Sequence, residues 1–188
     1  MDDTTRVSFA ARTVRQTSHL EIDLTAIDRN VRSIRSLVGA STSLCAVVKA
    51  DGYGLGAVRV ARALENAGAS MLAVYSIREA ETLLASSVGL PILVLMPVRE
   101  SGRSDALYGG MLRGRIRFAV HDAAHLDAIQ RLASHYALDL PLHLEVDTGM
   151  HRGGCRPEDA GAIVSEIGRT RHLRLEGIYT HFASCLLY

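Results

Sequence analysis

The sequence predicts an α/β protein in which parallel strands alternate with helices, and three observations support this class. Six short runs of apolar and β-branched residues are each bounded by turn residues, as buried parallel strands are. Segments with apolar residues at helical spacing lie between them, so right-handed crossovers between parallel strands are expected. Polar residues, among them Lys49, Asp147 and His181, follow several of the runs. A doubly wound open sheet and a (β/α)8 barrel both fit this alternation.

The distribution of the strand-end polar residues favours an incomplete (β/α)8 TIM barrel with about six of its eight strands. A barrel collects its site from the ends of many strands. A dinucleotide-binding open sheet instead carries G-x-G-x-x-G after a strand, and no such motif follows a strand here. Six strands do not close an eight-stranded barrel, so we expect it to be incomplete or to be completed by another chain.

The order of the elements can be predicted along the whole chain. A short alternating strand over 20–24 is expected to precede a helix that Thr25 caps and Gly39 ends. The six sheet strands are predicted over 44–48, 71–75, 91–95, 116–120, 142–147 and 173–181. The helices between them are predicted over 58–67, 78–85, 101–113, 122–136 and 156–169. Ser76, with Glu79 three residues later, matches a capping box at one helix start.

Composition places the chain among globular proteins with one domain. The 188 residues can bury a sizeable core, and a net charge of +1 does not suggest a nucleic-acid partner. No apolar run approaches the roughly 20 residues of a membrane helix. The three cysteines lack C-x-x-C spacing and the histidines lack ligand spacing, so we expect free thiols, a reducing cytoplasm and no metal site. Residues 1–19 are polar without a signal-peptide core and are interpreted as a flexible leader to a domain over 20–188.

Lys49 is the strongest candidate for a functional residue. It ends the apolar run over 44–48, and three glycines around Tyr53 then force a turn. It is also the only lysine among 21 basic residues, so the other 20 are arginine. Arginine stays protonated and cannot form a Schiff base, whereas lysine can do so. A lysine that merely extends from a strand end into solvent is the alternative.

The segment Val47–Gly56 resembles the pyridoxal-phosphate lysine motif of alanine racemases, V-V-K-A-[DN]-A-Y-G-H-G. It departs from that motif at Gly52, where alanine is usual, and at Leu55, where histidine is usual. The resemblance implies that Lys49 is catalytic and binds pyridoxal 5'-phosphate as a Schiff base. It also implies that Tyr53 lies near the cofactor phosphate.

A second stretch, residues 143–154, resembles the family pattern H-L-K-V-D-T-G-M-x-R-x-G. The resemblance implies that Arg152 faces the phenolic oxygen of the cofactor and keeps it ionised. Glu145 stands where many racemases have a carbamylated lysine that orients the arginine. We infer that its carboxylate supplies the same charge, as a supporting group that orients Arg152. By strand alternation, His143, Glu145 and Asp147 share one face, so a cavity mouth or a charge network is expected there.

A third stretch, residues 175–183, resembles the family strand that ends in T-H-F-A. The resemblance implies that His181 packs near the pyridine ring in a supporting role. Gly177 within this strand is expected at a bulge or a close approach.

Together the motifs resemble the amino-terminal half of an alanine racemase, over residues about 20 to 184. This implies a cytoplasmic, homodimeric isomerase that interconverts L- and D-alanine and supplies D-alanine for peptidoglycan. In that family a later region supplies the phosphate contacts and, across the dimer, the tyrosine that is the second catalytic base. Three interpretations of this chain stay open: a portion of a racemase, a non-catalytic cofactor-binding barrel, and an inert fragment. The substrate can be alanine, serine or a wider set.

Overall fold

The computed structural model describes residues 21–99 and 104–184, whose strands form one parallel six-stranded sheet. The strands are β1 (Cys45–Val47), β2 (Met71–Val74), β3 (Ile92–Val94), β4 (Ile116–Val120), β5 (Leu140–Glu145) and β6 (Leu173–Tyr179). Each strand pairs in parallel with the next in sequence, so β1 and β6 are the sheet edges. A doubly wound sheet would reverse its strand order at a switch point. The sequential order therefore confirms the prediction of six successive strands of a (β/α)8 barrel.

The helices are α1 (Leu24–Val38), α2 (Lys49–Tyr53), α3 (Ala57–Asn66), α4 (Ile77–Leu84), α5 (Asp105–Leu112), α6 (Ala123–Tyr136) and α7 (Pro157–Arg169). The predicted capping box is present at α4, where Ser76 and Glu79 satisfy each other's backbone N–H groups. Asp122 caps α6 through the N–H of His125, and Pro157 occupies the first turn of α7. These local signals therefore located helix starts correctly.

The predicted strand over 20–24 is wrong for its described part. Residues 21–23 have no regular structure, and Leu24 already begins α1. Asp23, rather than the expected Thr25, is the N-cap, because its carboxylate accepts the N–H groups of Thr25 and Ala26 at 2.8 and 3.3 Å. The Asp23 carboxylate at the N-cap satisfies backbone N–H donors that the first helical turn leaves free. This stabilisation of the helix outweighs the preference for a strand that the alternating apolar and polar residues over 20–24 indicate.

The two faces of the sheet have different roles. The outer face packs against the helices in the main core, to which Leu72, Ile92, Phe118 and Leu144 contribute fully buried side chains. The inner face carries a small second cluster formed by Ala73, Leu93 and Ala119 with partly buried neighbours. Ala73 and Leu93 of this cluster line the cavity described below.

The register between β5 and β6 shifts next to Gly177. Leu142 pairs with Leu175, whereas His143 pairs with Gly177, so one extra residue lies on β6. A Cβ on Gly177 would lie only 2.8 Å from Nδ1 of His143. Both parts of the prediction for Gly177, a bulge and a close approach, are confirmed.

Two predicted segments fall partly or wholly outside the described residues. The leader over 1–19 lies outside them, as does the beginning of the helix predicted over 101–113. Within the described ranges, no helix combines the length and apolarity that a membrane crossing requires.

The buried His125 ring gives the protein a predicted dependence of stability on pH. Its Nε2 accepts the N–H of Val98 at 2.8 Å, and burial lowers the pKa of His125 to about 4. Unfolding returns the pKa to about 6.5, so the unfolded chain takes up a proton at a higher pH than the folded chain. Stability should therefore be complete above pH 6.5 and should fall by about 3 kcal/mol as the pH drops to 4.

Chemical denaturation at several pH values tests this expectation. His125→Gln keeps an acceptor for Val98 but does not titrate, so its unfolding free energy should vary less between pH 6.5 and 4. Equal pH profiles for the wild type and this variant would contradict the assignment. Residual dependence in the variant is expected from His143, whose pKa is also lowered by burial, and from Glu79, whose pKa is lowered by backbone hydrogen bonds.

Candidate active site

A cavity of about 1050 Å³ lies along the inner face of the sheet. It is lined by side chains within the strands, such as Met71 and Leu93, and by residues that follow the carboxyl ends of the strands. Of the predicted site residues, the structure brings four together in its lining: Lys49, Glu145, Arg152 and His181. Tyr53 lies outside this lining, with 62% of its surface exposed.

Lys49 stands directly after β1 and is half-buried. The ladder continues one residue past β1, because the Val48 N–H donates to the Ala73 carbonyl at 2.8 Å. Val48 is buried, and its neighbour Lys49 lines the cavity on the other side of the backbone. β1 itself is not buried as the apolar run predicted, because it is an edge strand on which Cys45 and Val47 are exposed. Its last hydrogen bond and the buried Val48 still fix the position of the amine at the cavity.

The segment after Lys49 has an unusual backbone. Ala50, Asp51, Gly52 and Tyr53 have φ values of 52, 53, 64 and 56°, so α2 is left-handed there. A Cβ on Gly52 would lie 3.2 Å from Cα of Ala57, which is tighter than ordinary packing. The glycines predicted a turn at this place, and the left-handed path directs Tyr53 away from the cavity.

Arg152 lies on the loop between β5 and α7, and hydrogen bonds close this loop tightly. Asp147 accepts the N–H groups of Gly149 and His151, both at 3.0 Å, and these bonds lower the pKa of its carboxyl group. At the other end, the Asp147 N–H donates to the Cys155 carbonyl at 2.8 Å. Arg152 itself is exposed, and it also contributes to the lining of the cavity.

Glu145 is buried, and its partners differ from the one expected. Its Oε2 accepts the hydroxyl of Tyr179 at 2.8 Å and lies 3.4 Å from Nδ1 of His121. Within the part of the chain that the structure describes, no ion pair joins Glu145 to Arg152. Burial, followed by the Glu145 carboxylate, raises the pKa of Tyr179, so this phenol stays protonated at neutral pH.

The hydrogen bonds of His121 indicate which ring nitrogen carries the proton. Nδ1 accepts the N–H of Gly154 at 3.0 Å, which leaves Nε2–H to donate to the Leu95 carbonyl at 2.8 Å. The ring therefore ties β3 to the Arg152 loop. The contact with Glu145 joins a neutral imidazole to a carboxylate and is not an ion pair in this tautomer.

His121 and Tyr179 were missed by the sequence analysis, although both line the cavity. His121 follows the apolar strand β4 directly, which is the signal that identified Lys49. Tyr179 stands two residues after Gly177 on β6 and so shares the inward face with it. Applying the strand-end and alternation patterns to every strand would have found both.

His181 follows β6 and is half-buried in the lining. The preceding Thr180 shares a hydrogen bond of 2.7 Å with Thr148, so the end of β6 is joined to the Arg152 loop.

Deeper in the sheet, Arg117 pairs with Glu176 at 2.9 Å, and Nε2 of His143 lies 3.8 Å from the same carboxylate. The expectation for the ionisable face of β5 therefore holds for His143 and Glu145, which line the cavity. Asp147 lies outside the lining, because its carboxylate binds the backbone of its own loop.

Comparisons with known proteins agree on one family. The sequence model for the alanine racemase N-terminal domain matches residues 22–185. An alanine racemase from Desulforamulus reducens is 41% identical over 165 residues, and one from Desulfovibrio desulfuricans is 38% identical over 164 residues. Both matches cover 87% of this chain and 43% of the relative.

Solved structures give the same result. The alanine racemase of Streptomyces lavendulae aligns with a TM-score of 0.75 at 30% identity, over 87% of this chain and 42% of that chain. The enzyme of E. faecalis aligns with a TM-score of 0.73 at 35% identity, over 87% and 43% respectively. The chain thus spans less than half the length of these relatives. It belongs to the alanine racemase family and corresponds to the N-terminal domain of that family.

Proposed function

We propose that this chain is the cofactor-binding portion of a pyridoxal-phosphate-dependent amino-acid racemase and that Lys49 binds the cofactor covalently. The observation that carries the proposal is the position of Lys49. The only ε-amine of the chain stands half-buried at the end of the edge strand β1, in one cavity with Arg152 and His181. An aldehyde cofactor requires such an amine, and an arginine cannot replace it.

The chemistry of the cavity fits this cofactor. Its volume of about 1050 Å³ lies just above the usual range of small-molecule sites, roughly 300–1,000 Å³. Within residues 21–99 and 104–184, no carboxylate forms an ion pair with Lys49, so the amine is available for reaction. When bound, pyridoxal phosphate supplies the electron sink that stabilises a carbanion at the substrate Cα.

The protein side chains would orient the cofactor and hold its charges. Arg152 would hold an anionic oxygen of the cofactor through its guanidinium donors. His181 would pack beside the ring, with Thr180 and Thr148 fixing the strand end that carries it. Glu145 would act as a supporting group through Tyr179, whose hydroxyl it accepts. The exposed Tyr53 would reach the phosphate only from the outer rim of the site.

Racemisation requires a proton-transferring group on each face of the substrate Cα. Lys49 would supply one of them. Tyr179 is unsuited to be the second, because its hydroxyl donates to Glu145 and its raised pKa opposes ionisation. We propose that the second group comes from the region of the longer relatives that this chain does not span. Alanine as substrate, a homodimeric assembly and a cytoplasmic location belong to the same proposal.

Mapping of the cofactor attachment site tests the proposal. The 188-residue chain is saturated with pyridoxal phosphate, reduced with borohydride, digested and analysed by mass spectrometry. We expect the pyridoxyl group on the peptide that contains Lys49. Label found only at the amino terminus of the chain would refute a lysine-bound cofactor. Conversion of L-alanine to D-alanine, measured in parallel, should stay at background, because the second proton-transferring group is proposed to lie outside this chain. Measurable conversion would contradict that part of the proposal.

A further inference from the structure

We propose that Glu79 is a positioning residue for Lys49, because its carboxylate fixes the backbone that carries the amine. This inference rests on the proposed role of Lys49. Oε1 of Glu79 accepts the N–H of Ala50 at 2.7 Å, and Ala50 is the residue next to Lys49. Oε2 accepts the N–H groups of Tyr75 and Ser76 at 2.8 and 2.9 Å. One side chain therefore joins the segment after β1 to the segment after β2.

The backbone beside Lys49 needs such support. Ala50, Asp51 and Tyr53 are non-glycine residues with positive φ, and the left-handed region costs an L-residue free energy. A conformation of this kind persists only where the surroundings enforce it. Glu79 fixes the beginning of this segment. At its end, Asp51 accepts the N–H of Ala57 through Oδ1 at 2.7 Å.

Helix capping alone does not account for the contacts of Glu79. A capping box requires one bond from the carboxylate to the N-cap N–H, and Ser76 provides that donor. The other oxygen instead reaches Ala50, 29 residues earlier in the chain. A carboxylate has enough lone pairs to serve both places, so the same residue caps α4 and holds the Lys49 segment.

The charge of Glu79 strengthens these bonds. Burial opposes ionisation, but the N–H groups of Ser76, Ala50 and Tyr75 outweigh it and lower the pKa of Glu79. Hydrogen bonds to an ionised acceptor are about twice as strong as those between neutral groups. Glutamine at position 79 would keep the shape of the side chain, but its NH2 group would face a backbone N–H group. Two donors cannot bond to each other, so that hydrogen bond would be lost.

The test compares Glu79→Gln with two matched controls in the 188-residue chain. Ser76→Ala removes the other half of the capping box and a hydroxyl that donates to Oε2 of Glu79 at 3.3 Å, but it does not touch the bond from Ala50 to Oε1. Glu65→Gln removes a similar carboxylate bond elsewhere, in which Glu65 accepts the N–H of Gly89 at 2.8 Å. Only Glu79→Gln should affect the backbone beside Lys49.

Two measurements report on that backbone. Amide hydrogen exchange of the peptide over 48–54 requires no cofactor, and Glu79→Gln should accelerate it about tenfold or more. Borohydride trapping of pyridoxal phosphate on Lys49 gives the second readout. There the rate at saturating cofactor should fall about tenfold, while the half-saturating concentration changes little, because the amine is displaced and the rest of the cavity is intact.

The outcomes separate this inference from the proposed function. If the wild type traps no cofactor on Lys49, the proposed function fails, and the exchange measurement still decides the role of Glu79. Unchanged exchange and trapping in Glu79→Gln would overturn the inference, as would equal effects of Ser76→Ala or Glu65→Gln. If Glu79→Gln does not fold, Glu79→Asp decides. That variant keeps the charge and can cap α4 but is too short to reach Ala50, so the same two changes are expected.

Discussion

Replacing Lys49 by arginine is expected to abolish the covalent incorporation of pyridoxal phosphate while the fold persists. The guanidinium group keeps the positive charge and a similar length, so the half-buried strand end can accommodate it. It stays protonated and cannot condense with an aldehyde. After borohydride reduction, the pyridoxyl mass on the peptide over 48–54 should therefore fall from near one group per chain to background. Circular dichroism and thermal unfolding should remain close to those of the wild type.

A second lysine provides the matched control for this experiment. Arg131→Lys adds an ε-amine on the exposed surface of α6, away from the cavity lining. If the cavity directs the reaction, label should remain on Lys49 and be at background on the new lysine. Equal labelling of both amines would mean that exposure alone governs the reaction. Label persisting in Lys49→Arg at the wild-type level would contradict the proposed attachment site.

The placement of Lys49 could be predicted because its signals are local. An apolar run, a single lysine and a glycine-rich turn lie next to one another in sequence, and the strand they predict is present with shorter bounds at 45–47. The same holds for Ser76 and Glu79, whose capping box involves residues only three positions apart. Strand order also followed from local alternation, because right-handed crossovers leave few arrangements of successive parallel strands.

The contacts that complete the site could not be predicted, because they join residues distant in sequence. Glu79 reaches Ala50 across 29 positions, and Glu145 reaches Tyr179 across 34. Both contacts depend on the register of neighbouring strands, which periodicity does not specify. The expectation that Glu145 pairs with Arg152 came from a resemblance in sequence, and the structure gives Glu145 a closer donor in Tyr179.

Replacing Gly154 by alanine is expected to disrupt the loop that carries Arg152. Gly154 has a φ of +96°, and a Cβ there would lie 2.7 Å from the backbone N of Asp147 and 3.0 Å from the carbonyl carbon of Val146. These are backbone atoms of the strand end, so a rotamer change cannot relieve the contact. The N–H of Gly154 also donates to His121, so displacement would break that bond. Overpacking and an unfavourable φ together should lower the unfolding free energy by roughly 2–5 kcal/mol.

Gly149→Ala is the matched control within the same loop. Gly149 also has a positive φ, of +122°, but the nearest contact of an added Cβ is 3.9 Å away. It should therefore show the backbone cost alone, about 1–2 kcal/mol.

Urea denaturation of both variants measures the difference in unfolding free energy, and cofactor trapping on Lys49 measures the effect on the site. Because the Asp147–Cys155 and His121–Gly154 bonds hold Arg152 at the cavity, Gly154→Ala should weaken cofactor retention more than Gly149→Ala does. Equal stability and equal retention in the two variants would show that the close approach of Gly154 to β5 does not hold the loop in place.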